Sequence, residues 1–130
     1  MEAGEKINST LDAAASVSSL GTHQFLDDFA LAYHLVVAKR LRVGPEAVLS
    51  RARQNLNRWL EGDAFGSGER QSVEEWQKIL DGSDIERLIE IITDTSDEGQ
   101  RLRSSSPLVG ALTPEERLEI LAACEQRATA

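Results

Sequence analysis

Only one cysteine, Cys124, occurs in this sequence. A single thiol excludes an intramolecular disulfide and a thiolate-based metal cluster, and it fits a reducing compartment. Long apolar runs are missing as well: nothing approaches the roughly 20 residues that a membrane-spanning helix needs. The start, MEAGEKINSTLDAAASVSSLG, has no charged stretch leading into an apolar one, as a secretory signal requires. A soluble, cytoplasmic protein with no membrane partner is therefore expected. No stretch alternates as a strand, and β-branched runs are short, which argues against a sheet. At 130 residues the chain suits one compact domain that buries most of its apolar surface without disulfide or metal staples.

Metal and catalytic spacings are equally scarce. His23 and His34 lie eleven positions apart, too far for the one-turn pair of a helical metal site. Asp27 and Asp28 are adjacent and point in different directions on a helix. The stretch GDAFGSGER has glycines but no Lys-Ser/Thr and no preceding strand, so it is not a phosphate loop. His34, inside the most apolar segment, reads as a hydrogen-bonded structural histidine, and Cys124, beside Ile120 and Leu121, as a small apolar filler. No enzyme, cofactor or metal is expected.

What is present is helical periodicity. Across residues 25–41 the positions Phe25, Phe29, Tyr33, Val36, Val37 and Leu41 recur at steps of three and four. Leu31, Leu35 and Ala38 widen the stripe until the helix is apolar nearly all round, which places it at the centre. RVGPEAVLSRARQNLNRWLEG follows with a Gly-Pro start and a Gly62 stop. Its apolar side is Val48, Leu49, Ala52, Leu56, Trp59 and Leu60, and Arg51, Gln54, Asn55 and Arg58 lie elsewhere. GDAFGSGER reads as a loop.

Four later stretches carry a hydroxyl three residues before a glutamate: Ser72 to Glu75, Ser83 to Glu86, Thr95 to Glu98 and Thr113 to Glu116. In a capping box the hydroxyl accepts from the amide three residues on, while the carboxylate accepts from the cap amide. Helices are expected near 72–80, 84–93, 96–104 and 113–126, with Trp76 and Trp59 as core anchors and Leu118, Ile120, Leu121 and Cys124 as the buried set of the last. The expected fold is all-α: one compact domain of about six helices at 22–130, preceded by a flexible arm at 1–21 with at most a short helix around 11–17.

Charge is uneven. Residues 1–21 carry −2, 22–62 carry +2, 63–100 carry −8 and 101–130 carry none, for a net −8. Such a field repels nucleic acid and attracts a basic surface. SVEEWQKILDGSDIERLIEIIT has the outline of a helix-turn-helix, yet its second helix offers Asp84, Glu86 and Glu90 against Arg87. The basic residues Lys39, Arg40, Arg42, Arg51, Arg53 and Arg58 read as a solvated face or as ionic partners of the acidic third quarter. Binding to nucleic acid is not expected.

The stretch GQRLRSSSPLVGAL puts two arginines and three serines before a proline. The serines and Pro107 punctuate the chain between two helices. Two readings of Arg101 and Arg103 stay open: they suit a helix C-terminus, or with Ser104, Ser105 and Ser106 they line a surface that grips a carboxylate or phosphate.

The tail RLRSSSPLVGALTPEERLEIL, together with VLSRARQNLNRWLEG and VEEWQKILDG, resembles small helical prokaryotic antitoxins of toxin–antitoxin gene pairs, over most of the chain after residue 22. The resemblance implies a cognate toxin enzyme, such as a nucleotide-using kinase or nucleotidyltransferase, that is bound and silenced. The expected contacts are Arg101, Arg103, Ser104, Ser105 and Ser106, with Glu74, Glu75, Asp94, Asp97 and Glu98 steering a basic partner. The alternatives are a DNA-binding repressor and a structural subunit of a larger complex.

Overall fold

The computed structural model describes residues 19–62 and 67–129, and these form six α-helices with no strand among them. They are α1 (Ser19–Val43), α2 (Pro45–Glu61), α3 (Ser67–Gly82), α4 (Ile85–Ile92), α5 (Asp97–Ser104) and α6 (Pro114–Thr129). The all-α, single-domain expectation is met. Residues 1–18 of the expected arm, with its short helix at 11–17, lie outside the described residues, whereas Ser19, Leu20 and Gly21 already belong to α1.

α1 is central because its sequence is apolar on more than one face. It packs against α2, α4, α5 and α6. Tyr33, Val37, Ala38 and Leu41 sink into the core, with Val37 and Leu41 wholly buried. Gly44 then breaks the helix, and Pro45 restarts it as α2 at the position where a missing N–H costs nothing. α2 buries Val48, Ala52 and Leu56, and also Asn55, which the sequence had placed away from the apolar side. Trp76 of α3 is the largest wholly buried side chain, while Trp59 is half-buried.

The helix starts follow capping chemistry, with shifts. At α6 the box is complete: Glu116 N–H donates to Thr113 Oγ1 at 3.1 Å, and Thr113 N–H donates to a Glu116 carboxylate oxygen at 2.9 Å. That amide holds the Glu116 carboxyl below its usual range. α4 and α5 each start one residue later than the pattern indicated. Asp84, not Ser83, accepts from Arg87 N–H at 2.8 Å, and Ser96, not Thr95, accepts from Gly99 N–H at 3.3 Å. Neighbouring residues both carried a competent oxygen, so backbone geometry chose between them. α3 begins at Ser67, inside the expected GDAFGSGER loop and five residues ahead of Ser72. One glycine inside a helix costs only about 1 kcal/mol, and the packed turns beyond it outweigh that.

Surface ion pairs join the basic and acidic quarters as expected: Arg42 to Glu86 at 2.8 Å and Arg53 to Asp81 at 2.7 Å. Arg40 pairs with Glu116 across α1 and α6. Exposed pairs of this kind contribute about 0–1 kcal/mol each, so they set register more than stability. α6 departs from expectation at Leu118, which is 56% exposed, while Cys124 is buried and Ile120 and Leu121 are half-buried. Because α6 meets the body of the protein chiefly through α1, only one narrow stripe of it is covered.

Candidate partner-binding site

The connector between α5 and α6, residues 105–113, has no regular ladder for its backbone groups, yet Ser106, Pro107, Leu108 and Leu112 are buried. Buried backbone groups must find partners, and side chains from α1 and α2 supply them. Asn55 Nδ2 donates to the carbonyls of Pro107 and Val109, both at 2.9 Å. Tyr33 Oη accepts from the amides of Gly110 at 3.1 Å and Leu112 at 3.4 Å. Ser106 Oγ accepts from Leu108 N–H at 3.1 Å. The turn itself passes through Gly110 at φ +83°, a region closed to most side-chain-bearing residues.

His34 completes this lock. Its Nδ1 lies 2.7 Å from the Ala30 carbonyl, which only accepts, so Nδ1 carries the proton. Nε2 therefore accepts from Ser106 O–H at 2.8 Å. Desolvation by burial is the main cause that pushes the His34 pKa down to about 4, leaving the ring neutral at pH 7. Both ring nitrogens are engaged in structure.

The two arginines have separate fates, and neither forms the anion grip. Arg103 is 95% buried, since its relative exposure is 5%. Its Nη1 donates to the carbonyls of Ile92 at 3.2 Å and Asp94 at 2.6 Å, just past α4. Burial holds its pKa below the ordinary arginine value. Through Nη1 it caps the end of α4, while its buried Nε has no hydrogen-bond partner among the described residues. Ser106 is likewise internal, and the amides of Ser105 and Ser106 donate to the carbonyls of Leu102 and Arg103, both at 3.2 Å. The expectation of free serine amides beside an arginine fork is thus corrected: a helix that ends in tight turns uses those amides itself. Ser104 is exposed but donates to the Arg101 carbonyl at 2.6 Å, and Ser105 Oγ reaches Leu102 O at 3.5 Å.

Arg101 does stand at the surface, held between two carboxylates. It meets Glu75 of α3 through two bonds of 3.0 and 2.7 Å, and Glu98 of α5 through two of 2.9 and 2.5 Å. Hydrogen bonds from Arg101 hold both carboxyls below the usual range, and the two carboxylates raise Arg101 in turn. Glu75 and Glu98 also feel each other's charge, as do Glu98 and Asp94. Asp94 itself accepts from Ser96 N–H and Ser96 O–H, both at 2.9 Å, and the amide bond holds its carboxyl low. Gly99 makes this turn possible: a Cβ there would lie 2.0 Å from the Asp94 carbonyl oxygen.

The fold therefore brings Glu75 and Glu98 together around Arg101, with Asp94 close enough to Glu98 to act on its charge, Asp97 exposed on α5 and Glu74 exposed on α3. These carboxylates outnumber the exposed arginines beside them, Arg101 and Arg87, and leave this surface negative. Asn55 and Tyr33 were missed as polar organisers. The available signal for Asn55 was its place beside Ala52 and Leu56, where an amide must find buried partners. Among the described residues there is no group of three or more His, Cys, Asp or Glu that would hold a metal ion, and no helix is long and apolar enough to cross a membrane. No protein-family model matches the chain, and neither a curated protein nor a solved structure matches it.

Proposed function

We propose that this protein is an antitoxin-like inhibitor that binds a cognate toxin enzyme with a basic surface and blocks its active site. The observation that supports this reading is the acidic surface of α3 and α5, where Glu75 and Glu98 clasp Arg101 and Glu74, Asp97 and Asp94 are exposed nearby in the chain. The Arg101 ion pairs hold Glu75 and Glu98 in place before any partner arrives. Preordered charge speeds association with an oppositely charged surface and fixes the orientation of docking, with little ordering cost. The nucleotide-using kinase or nucleotidyltransferase implied by the sequence resemblance is the class of toxin that this reading assigns. Nucleotide-binding clefts are basic, and an acidic helical end can occupy a phosphate subsite in one.

Arg103 and Ser106 leave the contact set on this reading, because both are buried. Arg101 acts by positioning Glu75 and Glu98. The test is co-expression with the product of the adjacent open reading frame, using Glu74→Lys with Asp97→Lys, two exposed sites. Loss of complex formation and of growth rescue, with an unchanged circular dichroism spectrum, is expected. A complex that forms with wild-type affinity and the same salt dependence refutes the acidic-end account.

A further inference from the structure

Two faces of α1 stay open between its neighbours. One carries Leu31 and Leu35 and borders a groove against α6. The other faces α5, and there a cavity of about 280 Å³ lies between the two helices. Its wall includes Leu26, Asp27 and Ala30 from α1, and Gln100, Arg103 and Ser104 from α5. Space of that size holds more than one water, and it falls just short of the roughly 300–1,000 Å³ of drug-sized pockets. A small metabolite is the scale of occupant that fits.

Though it is no part of a surface grip, Arg103 gives this cavity an unmet donor. The side chain is only 5% exposed, yet its Nε has no hydrogen-bond partner among the described residues. Both bonds described for Arg103 leave from Nη1, to the carbonyls of Ile92 and Asp94. They anchor one end of the guanidinium and spare the Nε–Nη2 edge, the pair of donors that a carboxylate meets side-on through two bonds. A plain anion does not suit the rest of the wall. Asp27 is negative and close enough for its charge to act on Arg103. The Ser104 hydroxyl is spent as a donor on the Arg101 carbonyl, so its lone pairs are what it offers. A cation with spare donors therefore stands beside acceptors that favour a positive group.

We propose that this cavity binds a free α-amino acid as its zwitterion. The carboxylate takes the Nε–Nη2 edge of Arg103, and the ammonium donates to the Asp27 carboxylate and to Ser104 Oγ. Gln100 serves either end, since a carboxamide both donates and accepts. A short side chain rests on Leu26 and Ala30. Nε lies just under the wall, closed to water, and the carboxylate reaches it by a small turn of the guanidinium about the anchored Nη1.

Arg103 stays unchanged in the test, because it closes the end of α4. The Nε–Hε resonance of Arg103 is followed in the isotope-labelled full chain while each of the twenty protein amino acids is added in turn, with acetate and methylammonium as single-charge controls. At least one amino acid is expected to move that resonance saturably, with a Kd below about 10 mM and about tenfold or more tighter than either control. Asp27→Asn, with an unchanged circular dichroism spectrum, is expected to weaken that amino acid about tenfold and to leave acetate no weaker. The proposal is overturned if none of the twenty gives a saturable shift, which leaves Nε to an ordered water. It is also overturned if acetate binds as tightly as the amino acid, which makes the cavity a plain oxyanion site, or if folded Asp27→Asn keeps the affinity. Should Asp27→Asn not fold, the ratio of amino acid to acetate in the unaltered chain decides alone. None of these outcomes depends on the identity of a toxin.

Discussion

The connector at 105–113 and the helix α6 that follows it reverse the usual association of regularity with burial. The connector has no helix or strand, but it buries Leu108 completely and Leu112 almost so. α6 runs for 16 residues with a complete capping box, but it leaves Leu118 more than half exposed. Local rules account for α6: a cap, acid in its first turn, and helix formers throughout. The connector holds because two distant side chains, Tyr33 and Asn55, pair with its backbone, while its own Ser106, held by His34, accepts from Leu108 N–H. Secondary structure is one way to pair buried amides and carbonyls. A polar side chain aimed from a neighbouring helix is another.

This contrast predicts a ranking of mutational effects. The largest is expected at Gly99→Ala, where the new methyl meets the Asp94 carbonyl, which is backbone and cannot step aside. A loss of about 3 kcal/mol or more, read by urea denaturation, is expected from overpacking of that kind. Leu108→Ala follows, with about 3 kcal/mol lost through the cavity left beneath the connector. An effect below about 1 kcal/mol there would mean that the connector is not part of the core.

Acid supplies the next probe. His34 has a folded pKa of about 4 against an ordinary value of 6.5, so the unfolded chain binds the proton more tightly. Its contribution is fully present above about pH 6.5 and is lost as pH falls towards 4. Between pH 7 and 4.5 the stability is expected to drop by about 2 kcal/mol from this group alone. The drop should shrink in His34→Gln, and denaturation midpoints at the two pH values check it. Glu75, Glu98 and Glu116 have lowered values, so their contributions are lost only as pH falls below the usual carboxylate range.

Asn55→Ala comes next, at about 2 kcal/mol, because it strips the Pro107 and Val109 carbonyls of their donor. Leu118→Ala closes the ranking at under about 0.5 kcal/mol, since that side chain is already in water. A large effect at Leu118 would indicate that α6 is covered in solution by something that the described residues do not contain.

Much of this architecture was readable from spacing. The all-α class, the central place of α1, Trp76 as an anchor, the α6 capping box and the pairing of basic α1 and α2 with the acidic quarter all follow from periodicity and charge. The one-residue slips at Asp84 and Ser96 occurred where adjacent residues had equivalent caps. The larger error, at the start of α3, came from reading glycine as a stop when neighbouring turns were packed. The candidate site was half readable. Glu75 and Glu98 do gather around Arg101, but Arg101 and Arg103 look alike in sequence and end up in opposite environments.

The sequence alone determined the helices, the excess of acid at 63–100 and the absence of a disulfide, because each depends on residues near one another or on simple counts. Tertiary structure decided which arginine stays in water, which serine joins His34, and which face of α1 is left uncovered. Those outcomes depend on what lies opposite a side chain after folding. Burial and pairing are properties of two surfaces that meet, and no single stretch of chain contains both.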